Sequence, residues 1–243
     1  MRIVIVIIML LGIVFLISLS QKITSNSDRK ATDAQYFIYK YSNEDNGLVI
    51  TNLTDEGKQL KKIVIPEMIN GIPVTGIETG GINSCFNVTS IKIPKSLINI
   101  KPAPFFLCPK LKKIIVALDN SSFHSKKGIL YCNSIIVSYP GGAEGDIKVL
   151  PHTTIIGYFA FAGCVKIRSI TIPQKIQRIN DCAFFNCENL LSITLQGEKI
   201  PTLGEEVFTH CPKLKEIRVP TSIIERYKSA EKWKSYADII IGY

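Results

Sequence analysis

Ile156 to Ile172 reads I-G-Y-F-A-F-A-G-C-V-K-I-R-S-I-T-I, and 23 residues later Ile179 to Leu195 reads I-N-D-C-A-F-F-N-C-E-N-L-L-S-I-T-L. The same line starts at Ile77 (I-E-T-G-G-I-N-S-C-F-N-V-T-S-I-K-I), at Ile100 (I-K-P-A-P-F-F-L-C-P-K-L-K-K-I-I-V) and at Leu203 (L-G-E-E-V-F-T-H-C-P-K-L-K-E-I-R-V). Each copy sets an aromatic, or Ile82 in the first, three residues before a cysteine, usually with a small residue ahead of it, and then L-x-x-I-x-I or a close variant. A fixed period in the twenties predicts a solenoid, because such a unit cannot bury its apolar face alone and must stack on its neighbours.

The register holds to within a residue. Cys85 to Cys108 is 23, Cys164 to Cys187 is 23 and Cys187 to Cys211 is 24, whereas Cys108 to Cys164 is 56, so one interval carries 33 extra residues. A sixth L-x-x-I-x-I, Leu60 to Ile65, starts the array. The expected fold class is an α/β repeat solenoid of about six units with a parallel strand ladder.

The spacing also predicts how a unit is built. The two last apolar residues of L-x-x-I-x-I alternate as in a strand, and Pro66, Pro94, Pro173 and Pro220 mark strand ends because proline cannot donate to a ladder. Ile63 and Ile65, and their counterparts down to Ile217 and Val219, are expected to point inward. The I-x-x-x-A-F-x-x-C half has the spacing of a short helix or turn, with Phe105, Phe161, Phe184 and Phe208 stacking as an aromatic spine and Ile82 replacing the ring in the first unit.

Both ends need covers. F-I-Y-K-Y, N-E-D-N-G and L-V-I-T over Tyr36 to Thr51 predict a capping hairpin. Ile223, Tyr227, Ala230, Trp233 and Ala237 form a helical stripe behind Thr221 and Ser222 as N-cap candidates, which predicts a helical lid over 221–243. The insert over 117–148 contains G-I-L-Y, C-N-S and I-I-V-S-Y-P-G-G and reads as a hairpin carried on the solenoid.

Residues 1–20 read as an export signal, from the positive start at Arg2 and the apolar run Ile3 to Leu19. Cleavage near Ser20 and a retained signal-anchor over 3–19 both fit the run. Residues 21–36 are a polar linker, and 37–243 form the repeat domain. The seven cysteines are odd in number, and Cys85, Cys108, Cys164, Cys187 and Cys211 share one repeat position, which points to buried packing rather than bridges. Cys132 and Cys182 lie off that column and are the two suspected of pairing or reactivity. The net charge of +9 favours anionic surfaces and glycans over nucleic acid in an exported protein.

These units closely resemble the BspA-like class of bacterial leucine-rich repeats: the I-P strand end, the I-x-x-x-A-F-x-x-C segment, the G-I-L-Y…Y-P-G-G insert and the closing V-P…Y-K-S-A-E-K-W all match its pattern. The resemblance covers about Phe37 to Ile240. It implies an exported, cell-surface or secreted protein of the adhesion or recognition type, binding proteins or matrix components, and it carries over no catalytic residues.

The residues themselves point the same way. His210 precedes Cys211, but neighbours in a turn rarely face each other, and a zinc set of Cys182, Cys187, His210 and Cys211 has loose spacing. No nucleotide, zincin or hydrolase motif occurs. The reading is non-enzymatic, with no cofactor and no metal, and with membrane contact only through residues 3–19 if these stay attached.

The outward strand positions remain. Lys62, Ser90, Lys113, Ser169, Ser192 and Glu216 are expected in one column, and Val64, Lys92, Ile115, Thr171, Thr194 and Arg218 in the next. Of these, Lys62, Lys92, Lys113, Ser169, Thr171, Ser192, Thr194 and Arg218 make the candidate face for a protein, matrix or anionic glycan ligand. The alternative is a structural or accessory envelope domain without a ligand of its own.

Overall fold

The computed structural model describes residues 30–243. The expected export segment, its alternative as an anchor, and most of the linker lie outside the described residues. No helix among the described residues is long and apolar enough to cross a membrane.

The N-terminal cap is the expected hairpin: β1 (Phe37–Ser42) runs antiparallel to β2 (Gly47–Leu53). A single turn, α1 (Asp55–Lys58), follows, its first N–H groups met by the Thr54 hydroxyl accepting from Gly57 N. Then come β3 (Lys62–Val64), β4 (Met68–Ile69), β5 (Ile72–Ile77), β6 (Ser90–Ile93), β7 (Asn99–Ile100) and β8 (Lys113–Val116). β3, β6 and β8 form one parallel sheet, while β2, β5 and β7 pair in parallel on the other side of the core.

The insert supplies β9 (His124–Lys126), β10 (Ile129–Cys132), β11 (Ile135–Ser138) and β12 (Glu144–Lys148). After it come β13 (Ile155–Ile156), β14 (Lys166–Ile172), β15 (Arg178–Ile179), β16 (Ser192–Leu195), β17 (Thr202–Leu203) and β18 (Glu216–Val219). The chain closes with α2 (Ile224–Ser229), a 3₁₀ segment at Trp233–Ile239 and β19 (Ile240–Gly242), which pairs in parallel with β18. The C-terminal cap is thus a broken helix plus a strand. Lys232, at φ 63, interrupts it, and the Thr221 hydroxyl donates to the Tyr243 carbonyl instead of capping a helix.

Every expected inward residue is buried, from Ile63 and Ile65 through Ile170 and Ile172 to Ile217 and Val219. Burial of each such side chain stabilises the fold by about 1.5–3 kcal/mol. The ladder is not continuous, however. β12, β14, β16, β18 and β19 make a second sheet, and no strand pairing joins it to β8.

The insert causes this division and also repairs it. The hairpin is built into the stack rather than carried on it: β11 pairs in parallel with β13, and β12 pairs in parallel with β14. β10 is a wall between two cores. Leu130 packs into the first, with Ile114 and Phe123, while its neighbours Ile129 and Tyr131 pack into the second, with Ile156 and Ile170, as strand alternation requires. The stack continues past the break through Tyr139 to Ala143. Gly142 N donates to the Leu111 carbonyl at 2.8 Å, and a Cβ on Gly141 would sit 2.8 Å from the Cys108 carbonyl oxygen, so this crossing needs glycine.

The I-x-x-x-A-F-x-x-C half is a pair of tight turns, not a helix. In each unit two residues four apart hold left-handed backbone: Ala103 and Leu107, Phe159 and Gly163, Cys182 and Asn186, Glu206 and His210. A helix would spend its N–H groups on carbonyls four residues back. Here Phe161 N and Gly163 N donate to Ala183 and Phe185 of the next unit at 2.8 and 2.9 Å, and Phe184 N and Asn186 N repeat this to Val207 and Thr209 at 3.0 Å each. Stacking between units therefore takes the place of helical bonding.

The aromatic spine also differs in one member. Phe161 stacks on Phe184 at 5.0 Å and Phe184 on Phe208 at 5.7 Å, but the ring before Phe161 is Tyr139, at 4.4 Å. Phe105 lies in the first core with Ile82. The insert intervenes between Phe105 and Phe161 and provides its own ring.

Candidate functional site

All seven cysteines are free thiols. The column members bond to the preceding unit: Cys187 Sγ donates to the Phe161 carbonyl at 3.3 Å and Cys211 Sγ to that of Phe184 at 3.0 Å. Burial pushes the Cys164 thiol up to about 12, and the hydrogen bond with Cys85, together with burial, raises Cys108 far above the usual thiol range. Cys108 and Cys164 therefore stay protonated, while the hydrogen bonds from Cys108 and Cys187 lower their partners Cys85 and Cys211; burial makes all five packing groups. Cys182 is half-buried, with burial, then Glu206 and Asp181, raising its thiol, so its surroundings oppose the thiolate that reactivity needs.

His210 meets the Phe185 ring edge-on at 5.1 Å while the adjacent Cys211 thiol turns to the Phe184 carbonyl. Imidazole and thiol thus have separate partners. Among the described residues no group of three or more His, Cys, Asp or Glu side chains could hold a metal ion.

The candidate face divides with the sheets. Lys62, Lys92 and Lys113 stand on β3, β6 and β8, whereas Ser169, Thr171, Ser192, Thr194 and Arg218 stand on β14, β16 and β18. The expected neighbours Lys113 and Ser169 do not pair. Asp146 of β12 is the partner of Ser169, and Lys148 that of Thr171. These two residues are missing from the columns read off the sequence. Their signal was present, since D-I-K alternates and Pro151 precedes Pro173 by 22 residues, close to the repeat period.

The two faces differ electrostatically. On the second sheet Arg218 is paired, donating to Glu216 from Nε at 2.9 Å and from Nη2 at 2.7 Å, and Asp146 accepts from the Ser169 hydroxyl at 2.8 Å, with Lys148 two residues along on the same side of β12. On the first sheet three lysines, one per strand, share a groove of about 300 Å³. Its wall comes from the linker, where Thr32 N donates to the Val64 carbonyl at 2.9 Å and Val64 N to the Thr32 hydroxyl at 2.9 Å. This fastening brings Lys30 and Tyr36 beside Lys62, with Asp33 the one carboxylate in the lining. Four lysines and one aspartate line the groove, so cationic side chains predominate among its described residues. Lys30 and Tyr36 were assigned to linker in the sequence, because a strand-edge contact 32 residues away leaves no periodic trace.

Comparison with known proteins agrees with this architecture. The family model described as BspA type leucine rich repeat region matches residues 52–137 and 145–238 in six copies. A leucine-rich repeat protein from Eubacterium ventriosum is similar in structure, at a TM-score of 0.53 and 16% identity over 72% of this chain and 68% of that one. The T. pallidum leucine-rich repeat protein is 24% identical over 79% of this chain and 73% of its own, at a TM-score of 0.41. No curated protein matches the chain. The gap between the two matched stretches, 138–144, falls on the Tyr139 to Ala143 crossing that rejoins the stack. With six repeat copies over most of its length and the ladder they form, the chain belongs to the BspA type leucine-rich repeat family.

Proposed function

We propose that this chain is an exported, non-enzymatic recognition module at the cell surface, and that the first sheet takes an anionic segment of a protein or of a matrix glycan. The observation that carries this reading is the groove in which Lys62, Lys92 and Lys113 converge from three strands beside Lys30. The parallel ladder sets Lys62 and Lys113 in one register with Ser90 between them, and Lys92 two residues further along the middle strand; with strands about 4.8 Å apart, this offers an anionic partner a staggered triangle of cations. The second sheet, with its Ser and Thr columns, is the other flank of the same body.

Binding of the full chain to immobilised matrix proteins and sulfated glycans tests the reading. Combined Lys62→Glu, Lys92→Glu and Lys113→Glu is expected to weaken affinity by about tenfold or more and to flatten its salt dependence. Unchanged affinity with an unchanged thermal midpoint would remove the groove from consideration.

A further inference from the structure

A second concavity lies at the rim where the parallel strands β12, β14 and β16 end. It measures about 620 Å³, and Lys127, Lys148, His152 and Lys175 reach it from four separate segments. Lys127 sits in the β9–β10 turn, Lys148 ends β12, His152 follows Pro151, and Lys175 follows Pro173. No Asp or Glu is among the lining residues. Thr171, Gln174 and Gln196 add neutral hydrogen-bonding groups, and Leu150, Pro151 and Pro173 an apolar floor. An adjoining trough of about 810 Å³ shares Gln174, Lys175 and Gln196 and continues along the rim to Lys199.

This composition selects among anions. A compact phosphoryl ligand would need a tight cluster of donors, whereas a long trough with cations spaced along it, amides between them and proline surface below fits sugar rings bearing acid groups. His152 is positioned for it. Its ring lies 5.1 Å from that of Tyr131, which is wholly buried and stacks in turn on His124 at 5.6 Å.

The charged groups around His152 are predominantly cationic. His124 and Lys126 come from β9, Lys127 from the following turn, Lys148 from β12 and Lys175 from the loop after β14. Of the nearby carboxylates, Asp146 accepts from Ser169, and Glu198 lines the adjoining trough. Burial, then Lys126 and His124, hold the His152 imidazole below its usual range, so at neutral pH it is uncharged. An anion in the trough would reverse that balance.

We infer that the rim trough is a binding site for an anionic polysaccharide and that protonation of His152 tightens it. The site shares no residue with the lysine groove, so either can fail alone.

The full chain carrying Lys62→Glu, Lys92→Glu and Lys113→Glu isolates the trough. A heparin-derived hexasaccharide, a hexagalacturonate and a neutral dextran hexasaccharide are titrated at pH 7.5 and pH 5.0 at fixed ionic strength. At least one acidic hexasaccharide should bind, about threefold to tenfold more tightly at pH 5.0, and the stronger of the two identifies the acid group. Adding Lys148→Glu and Lys175→Glu should weaken it by about tenfold or more. His152→Gln should erase most of the pH effect, bringing the ratio of the pH 5.0 and pH 7.5 affinities to within about twofold of unity. Equal binding of the dextran fragment, no loss with the two reversals at an unchanged thermal midpoint, or an undiminished pH effect in His152→Gln would each overturn the proposal.

Discussion

The Tyr139 ring stacks on Phe161 with centroids 4.4 Å apart and planes 19° from parallel, so a residue of the insert starts the aromatic column that runs on through Phe184 and Phe208 to Tyr236. The 33 extra residues therefore complete the second core instead of decorating it. Tyr139→Ala should cost about 2–4 kcal/mol in urea unfolding, while Tyr139→Phe, which keeps the ring, should stay within about 1 kcal/mol of the parent. Equal losses in the two variants would show that the hydroxyl, not the stack, matters.

The Gly141–Gly142 crossing joins the two halves of the stack. A Cβ at Gly142 would come within 2.7 Å of the Leu111 carbonyl oxygen, and the facing atoms are backbone, which cannot step aside. Gly142→Ala is expected to destabilise by more than the ordinary 1 kcal/mol or so of a surface change. It should also separate one unfolding transition into two, followed by calorimetry, with Trp233 fluorescence reporting the C-terminal half. A single unshifted transition would contradict the close crossing.

Thiol chemistry should divide the cysteines by position. Cys85, Cys108, Cys164, Cys187 and Cys211 are buried, and Cys132 and Cys182 half-buried. Native protein at pH 8 should give a disulfide reagent no more than two rapidly reacting thiols, with Cys182 slowed because burial and Glu206 raise it. Seven should react in denaturant. Rapid reaction of a column cysteine in the native state would refute its packing role.

Alkaline stability follows from the same burial. Cys164 and Tyr139 have folded values pushed up to about 12 from ordinary values of 9.0 and 10.0. Below about pH 9 both groups are protonated folded or unfolded, and their contribution is fully present. As pH rises from about 9 to 12 the unfolded chain ionises first, so stability falls over that window. The urea midpoint should decline there, and Cys164→Ala should show a shallower decline than the parent.

Trp233, the chain's one tryptophan, donates from its indole N–H to the Pro201 carbonyl at 2.8 Å and packs edge-on to Tyr227 at 5.1 Å. Its emission should be blue-shifted in the native state. Trp233→Phe, which keeps an aromatic ring but leaves the buried carbonyl unpaired, should cost about 1–3 kcal/mol by urea titration. No measurable loss would mean that the lid contributes little to closing the array.

Much of this structure is legible in local pattern. The period of 23, the alternation in L-x-x-I-x-I and the prolines after it locate the strands and the inward residues, because those features depend on side chains a few positions apart. The I-x-x-x-A-F-x-x-C half reads as either a short helix or a turn: apolar residues at i, i+4, i+5 and i+8 fit both, and only the neighbouring unit's carbonyls, such as that of Ala183 for Phe161 N, decide for the turn. The Gly163, Asn186 and His210 positions, types that tolerate left-handed backbone, were the available hint.

The candidate face shows the same division. Lys62, Lys92 and Lys113 were identifiable as outward strand residues, but their closure into a groove depends on Thr32 bonding to Val64, a contact with no repeat behind it. The supposed continuity from Lys113 to Ser169 failed because β10 wedges between two cores and β12 supplies Asp146 and Lys148 as the next rung. By itself the sequence determined the repeat, the strand faces and the family, since stacking identical units leaves a periodic record. Tertiary structure alone decided where the ladder breaks, which charges pair and which lysines converge, because those depend on segments far apart in the chain meeting once.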